Sequence, residues 1–267
     1  MEWQSKYITA DIKLSEYSGN AYSTETLFDH HMLVWFISGE TRIIRSEGSY
    51  VFKAGDIFLI PRNQLATIIN TPGDGKPNKS VVMHLTTDRL KEFYAEHRPR
   101  APLLVSPAIV GFGHHPLLES CLASLIPYFD LQEQLPVDLA TLKINEAIHI
   151  IRGINPAVDG VLANFEEPGK IDLAGFMERN FIFNLPLEKF ARLTGRSVST
   201  FGRDFKKIFQ TTPQRWLTQR RLEFAHYQIR EKRRKPVDVY LEAGFMDLSH
   251  FSFAFKKRYG YPPGEVG

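Results

Sequence analysis

Arg203 is the strongest candidate for chemistry in this sequence of 267 residues, with Ser199 four residues before it and Lys206-Lys207 just after it. At helical spacing these side chains share one face. An outward guanidinium suits bidentate hydrogen bonding to guanine O6 and N7, with a phosphate or carboxylate as the alternative partner. Ser199, Gly202 and Arg203 are therefore candidates for contact with base edges. Fifty residues later the corresponding outward positions are Leu248, Ser249, Ser252 and Phe253. A phenyl ring at 253 either touches thymine methyl groups or covers protein surface, and the sequence leaves both open. Lys206, Lys207, Lys256, Lys257 and Arg258 suit phosphate contact, and His250 is a further phosphate candidate.

Two other chemistries compete for attention. His30-His31, Glu40 and His84 raise the question of a metal site. Ligands on one strand must be two residues apart to share a face, and adjacent histidines point to opposite sides. His84 has no companion at that spacing, so no metal and no cofactor is expected. The single cysteine, Cys121, lies among Leu117, Leu118, Leu122 and Leu125. A reactive thiolate needs a polar or cationic setting, which this is not.

The elements that position the first set are visible because the chain repeats itself. Shifted by fifty residues, Ser199 falls on Ser249, Phe201 on Phe251, Phe205 on Phe255, Lys206-Lys207 on Lys256-Lys257, Phe209 on Tyr259 and Pro213 on Pro263. Such a repeat reports one structural unit used twice. Aromatic residues spaced by four define a buried helical stripe, and each unit has a preceding helix and an intervening glycine, Gly195 or Gly244. Both units thus read as helix-turn-helix, with the first outward-facing helix over residues 197–209. A connecting helix is expected over 213–234, which at 1.5 Å per residue is about 33 Å. That is close to the roughly 34 Å between successive major-groove faces of a duplex.

Residues 184–263 resemble the paired helix-turn-helix domain of AraC-type transcription regulators. The resemblance is carried by the run Leu187 to Ala191, by Gly195-Arg196-Ser197, Phe205-Lys206-Lys207, Arg221-Leu222 and Ala225, and in the second unit by Gly244-Phe245, Asp247, Ser249, Phe251, Phe255-Lys256-Lys257, Gly260 and Pro263. Tyr240 stands where the family usually has alanine, Gln210 where the first unit usually has glycine, and Phe253 where a polar or basic residue is frequent. The resemblance implies a sequence-specific transcription regulator, an activator, bound to double-stranded DNA and working with RNA polymerase. It does not imply an enzyme. The competing class is a cupin-type metal enzyme, or a methyl-accepting DNA-repair protein, tethered to DNA by the same domain.

The front of the chain reads differently. Short apolar segments at 32–37, 41–45, 49–53, 57–60, 67–69 and 80–85 are separated by turn signals, among them 46–48 and the Gly/Pro/Asn loop at 71–79. This pattern suggests a sandwich or barrel. Gly39-Glu40 and the run from Lys53 to Pro61 resemble a cupin barrel. The longer stretch 31–90 resembles the amino-terminal domain of AraC-type activators of type III secretion genes, which implies self-association and contact with regulatory proteins. The signal sensed, a small molecule or a protein, stays open; Trp35, Phe36 and Phe58 either line a cavity or fill a core. Helical spacing follows at 87–96 and at 116–154, with a break at Pro136. These helices form either a homodimer seam or intramolecular packing.

The expected fold class is α+β: a cupin-like β-barrel followed by helices, then an all-α domain of two helix-turn-helix units joined by a long helix. The expected divisions are a regulatory barrel at 1–100, a helical segment with a dimerisation role at 101–154, a linker at 155–169 and the DNA-binding domain at 170–267. Charge supports the split. From residue 184 onward there are 17 Lys and Arg against 8 Asp and Glu, and before it 16 against 22, or +9 behind −6. A basic module behind an acidic front suits a nucleic-acid partner. With one cysteine, no leader-like start and no bilayer-length apolar run, no membrane partner is expected and the cytoplasm is the expected compartment.

Overall fold

The computed structural model describes residues 2–266 apart from 20–21, 46–47, 73–75, 104–107, 132 and 167–168. Most of the turn expected at 46–48, the centre of the 71–79 loop and part of the expected linker fall on residues outside the described ones. Two compact units divide between Glu166 and Glu167.

Among the described residues the front unit carries ten strands: β1 (Glu2–Tyr7), β2 (Ile12–Ser18), β3 (Tyr22–Phe28), β4 (His31–Ser38), β5 (Glu40–Arg45), β6 (Gly48–Lys53), β7 (Ile57–Ile60), β8 (Gln64–Thr71), β9 (Asn78–Leu85) and β10 (Val110–Gly113). They form two antiparallel sheets, β1-β2-β9-β4-β7-β10 and β3-β8-β5-β6. Helices α1 (Thr87–Glu96), α2 (Pro116–Ala123), α3 (Ile126–Leu131), α4 (Val137–Ile154) and α5 (Asp159–Leu162) complete the unit.

The alternation of side chains explains why β4 and β7 read as unbroken apolar runs. Leu33 of β4 and Ile57 and Leu59 of β7 join one core with α1, α2 and α4, through residues such as Phe93, Leu122 and Ile148. Val34, Phe36, Phe58 and Ile60 point the other way, into a core shared with the second sheet through Ile43, Phe52 and Ala66. There Phe58 stacks on Phe52 at 3.7 Å between ring centroids and on Phe36 at 6.0 Å. Phe36 and Phe58 are thus packed core residues, and Trp35 belongs to the helix-covered side.

Two boundaries differ from expectation. Residues 101–154 are not helical throughout, because β10 pairs with β7, Val110 opposite Leu59. Gly111 and Gly113 carry no strand propensity, and pairing at a sheet edge supplies it instead. The segment expected to begin a linker at 155 is folded: Asn155 caps a 3₁₀ turn by accepting from the Ala157 amide at 3.1 Å, and Val158, Val161 and Leu162 are core residues. Pro156 reads as a breaker but stands at the start of a helical turn, where its missing amide costs nothing. Leu117 and Leu142, apolar residues of the helices at 116–154 for which the sequence leaves a homodimer seam and intramolecular packing open, are 61% and 64% exposed.

One polar cluster is sealed in this unit. The Asp159 carboxylate accepts from Arg152 Nε at 2.6 Å and Nη2 at 3.1 Å, from the Tyr94 hydroxyl at 2.6 Å and from the Arg100 amide at 2.8 Å. Arg152 also donates to the Arg98 carbonyl at 3.0 Å.

Among its described residues the second unit has helices alone as regular elements: α6 (Leu173–Asn180), α7 (Leu187–Leu193), α8 (Val198–Phe209), α9 (Pro213–Arg230), α10 (Pro236–Val239) and α11 (Leu248–Tyr259), with a closing 3₁₀ turn at Pro263–Glu265. The α+β class and the order of barrel, helices and paired helix-turn-helix units are those expected. Helix α9 has 18 residues, or about 27 Å, and stops at Arg230 rather than 234. Arg233 turns to φ +52° and the Arg234 amide reaches back to the Gln228 carbonyl at 3.2 Å. Among the described residues, no helix is long and apolar enough to cross a membrane.

Candidate nucleic-acid interface

Helices α8 and α11 begin and end in matching ways. Ser197 Oγ accepts from the Thr200 amide at 3.3 Å, and Asp247 Oδ1 accepts from the His250 amide at 2.7 Å, so each helix has a side-chain cap fifty residues from the other. Each closes on a left-handed residue, Gln210 at φ +53° and Gly260 at φ +87°. Gln210 adopts this conformation without being glycine, and its side-chain amide donates to the Lys207 carbonyl at 2.9 Å. The aromatic stripe is buried in both: Phe201 and Phe205 in α8, Phe251 and Phe255 in α11. Exposure then runs identically along 201–210 and 251–260, residue for residue.

The two helices dock on opposite ends of α9. Trp216 packs edge-on to Phe205 at 5.6 Å and against Phe209 at 4.7 Å, near the start of α9. Near its other end His226 stacks on Tyr259 at 4.5 Å and on Phe255 at 6.0 Å. Trp216 is therefore core, not a base-stacking platform.

The outward faces carry the residues singled out from the sequence. Ser199, Arg203, Ser249 and Phe253 are exposed, Phe253 by 69%; Gly202 and Ser252 sit half-buried at the shoulder of each helix. A Cβ at Gly202 would meet nothing within 4 Å. The acid beside Arg203, Asp204, is engaged by Arg196 Nε at 2.9 Å, which holds its carboxyl below the usual range, with the nearby Arg203 charge acting in the same direction. Lys206, Lys207, Lys256, Lys257 and Arg258 are all exposed. Arg258 is partly committed within the protein, lying 3.8 Å from Glu223 and over the Tyr259 ring. The His250 ring is exposed and 5.9 Å from that of Phe245.

Two family models match the chain in separate parts: one described as a helix-turn-helix domain over residues 190–267, the other as the ExsA N-terminal regulatory domain over 31–153. The HTH-type transcriptional regulator ExsA of Pseudomonas aeruginosa is 25% identical over 237 residues, covering 85% of this chain and 82% of that protein. The chain thus joins an AraC-type helix-turn-helix domain to an amino-terminal domain of the ExsA regulatory type. VirF of Yersinia enterocolitica, a virulence regulon transcriptional activator, is 26% identical over 189 residues, covering 70% of this chain and 67% of its own. Among solved structures, apo ToxT from Vibrio cholerae aligns over 95% of both chains at 12% identity with a TM-score of 0.44.

The residues behind the competing chemistries lie in the front unit. The His31 imidazole is buried and accepts from the Arg62 amide at 3.2 Å; burial, with Arg62 nearby, lowers its pKa to about 3. The His84 ring meets the edge of His30, ring centroids 6.4 Å apart, and burial, with Lys13 nearby, lowers its pKa to about 4. Among the described residues no group of three or more His, Cys, Asp or Glu stands together as a metal site would require. Burial pushes the Cys121 thiol up to about 12, the opposite of an activated nucleophile.

Two positioning residues of the AraC-type module were not assigned roles from sequence. Arg196 Nη1 donates to the carbonyls of Thr194 at 2.6 Å and Ile171 at 3.1 Å while Nε holds Asp204, so it ties the first turn to α8. Arg221 is buried in α9 and donates to the carbonyls of Phe181 at 2.8 Å and Phe183 at 2.7 Å and to Asn184 Oδ1 at 3.2 Å. The available signal was a lone arginine at helical spacing between Leu217 and Ala225, inside an apolar stripe.

Proposed function

We propose that this regulator is a transcription activator that lays α8 and α11 into major-groove segments on one side of the same duplex. The observation that carries this reading is the identical order of exposure along the two helices, with α9 between them. In it Ser199, Gly202 and Arg203 face bases from the first unit, and Ser249, Ser252 and Phe253 from the second. Lys206, Lys207, His250, Lys256, Lys257 and, more weakly, Arg258 hold phosphates. The protein works in the cytoplasm, recruits RNA polymerase as its family implies, and is not an enzyme. The front unit receives a signal and governs association of two copies. Exposed Leu117 and Leu142 support a seam through α2 and α4, and the phenylalanine stack between the sheets favours a protein signal over a small molecule.

The test is binding to duplexes selected from a random library by the full chain. Arg203→Ala is expected to lose about 1–3 kcal/mol on the selected site and to relax preference at one base pair. An equal loss on every sequence would make Arg203 a phosphate anchor only. Lys206→Ala is expected to weaken all duplexes alike and to reduce the slope of log K against log salt by about 0.9. An unchanged slope removes Lys206 from the footprint.

A further inference from the structure

The two outward faces match in geometry and differ most in chemistry at their centre. In α8 that centre is Arg203; in α11 it is Phe253, fifty residues on and in the same place in the order of exposure. Phe253 is 69% exposed. Ser249 and Lys257 lie one turn to either side, and His250 and Lys256 complete the surround, all exposed. A single exposed phenyl needs no explanation by itself. This one has Lys256 and Lys257 on its carboxy-terminal side and Ser249 and His250 on the other, a polar and partly cationic surround that suits a polyanion better than an apolar protein partner.

We propose that Phe253 is a specificity-determining residue that selects the 5-methyl group of a thymine in the major groove; this rests on the base-facing role of α11 given above. A phenyl offers no hydrogen bond to a base edge. Over guanine or adenine it would cover N7 and O6 or N6 and leave them unpaired and out of water, which is costly. Thymine presents the one major-groove edge with an apolar group to bury. The two units therefore read different chemistry, hydrogen-bonding acceptors under α8 and a methyl under α11. The second unit discriminates by a smaller margin, because burying one methyl is worth less than a bidentate pair.

The test replaces each thymine of the selected site, one at a time, with deoxyuridine, which deletes the methyl and nothing else. Dissociation constants are measured at fixed salt for the full chain and for Phe253→Ala. One thymine, outside the base pair controlled by Arg203, is expected to show a loss of about three- to fivefold on loss of its methyl. Phe253→Ala is expected to bind the thymine and deoxyuridine duplexes equally. At the same position 5-methylcytosine is expected to bind more tightly than cytosine to the unsubstituted protein alone. If every deoxyuridine substitution is neutral, or if the penalty survives in Phe253→Ala, the proposal is overturned and the ring covers a protein surface. Selection of a consensus that depends on Arg203 but shows no methyl effect overturns this inference and leaves the function standing. Failure to select any consensus overturns both. Because the ring is exposed, folding of the variant is not at stake, and unchanged melting of Phe253→Ala checks that.

Discussion

Replacing Asp159 by alanine is expected to destabilise the front unit by about 3–5 kcal/mol, the range for removing one partner of a buried ion pair. The side chain is fully buried and accepts four hydrogen bonds, two of them from Arg152, itself 2% exposed. Alanine would leave that guanidinium charged between the Phe93 and Tyr94 rings, with the Arg98 carbonyl as its remaining acceptor among the described residues. Burial alone would raise the Asp159 pKa, but the bonds from Arg152, Tyr94 and the Arg100 amide outweigh it and the net shift is downward. A carboxylate whose folded pKa is depressed contributes stability above its unfolded value, about 3.9, and loses it as pH falls through the lower folded value. The unsubstituted protein should therefore lose front-unit stability below about pH 4, and Asp159→Ala should show a flatter acid limb. Denaturant unfolding followed by hydrogen exchange over residues 87–162 reads both quantities. A cost below about 1 kcal/mol would mean that water reaches Arg152 once the carboxylate is gone.

That cluster also shows where sequence stops being informative. Arg152 and Asp159 are two charges among many in the sequence, and only tertiary packing brings them together with Tyr94. The same holds for β10, whose pairing partner β7 lies some fifty residues earlier and whose glycines carry no strand signal. The run Ile57–Ile60 was legible as a strand, but not the reason all four residues are apolar. That reason is the helix layer on one side and the second sheet on the other. The end of α9 was read four residues late because Glu231, Lys232, Arg233 and Arg234 are all compatible with helix, and nothing local announces the left-handed turn at Arg233. By contrast, the outward faces of α8 and α11 were legible in full. Phe201, Phe205, Phe251 and Phe255 fix the rotation of each helix, and once those four are buried every other residue's direction follows.

Gly244→Ala is expected to cost the second unit about 2–5 kcal/mol, combining left-handed backbone strain with overpacking. Gly244 sits in the turn before α11 at φ +81°, and a Cβ there would lie 2.3 Å from the Ile182 carbonyl oxygen and 2.9 Å from Arg221 Nε. Neither neighbour can yield cheaply. The first is backbone, and the second is held by Phe181 and Phe183 carbonyls whose bonds would break if it moved. Gly202→Ala makes the matched control, since its Cβ meets nothing and the substitution should stabilise α8 by about 0.5–1 kcal/mol in the absence of DNA. The two alanines thus have opposite signs within one unit. Hydrogen exchange should show faster opening across 173–260 for Gly244→Ala, with 12–162 unchanged, and DNA binding should fall in proportion to the folded fraction. Equal protection in both variants would mean that the turn before α11 relaxes around the added methyl. Arg221 would then carry no tie between α9 and the 181–184 stretch that the second reading helix depends on.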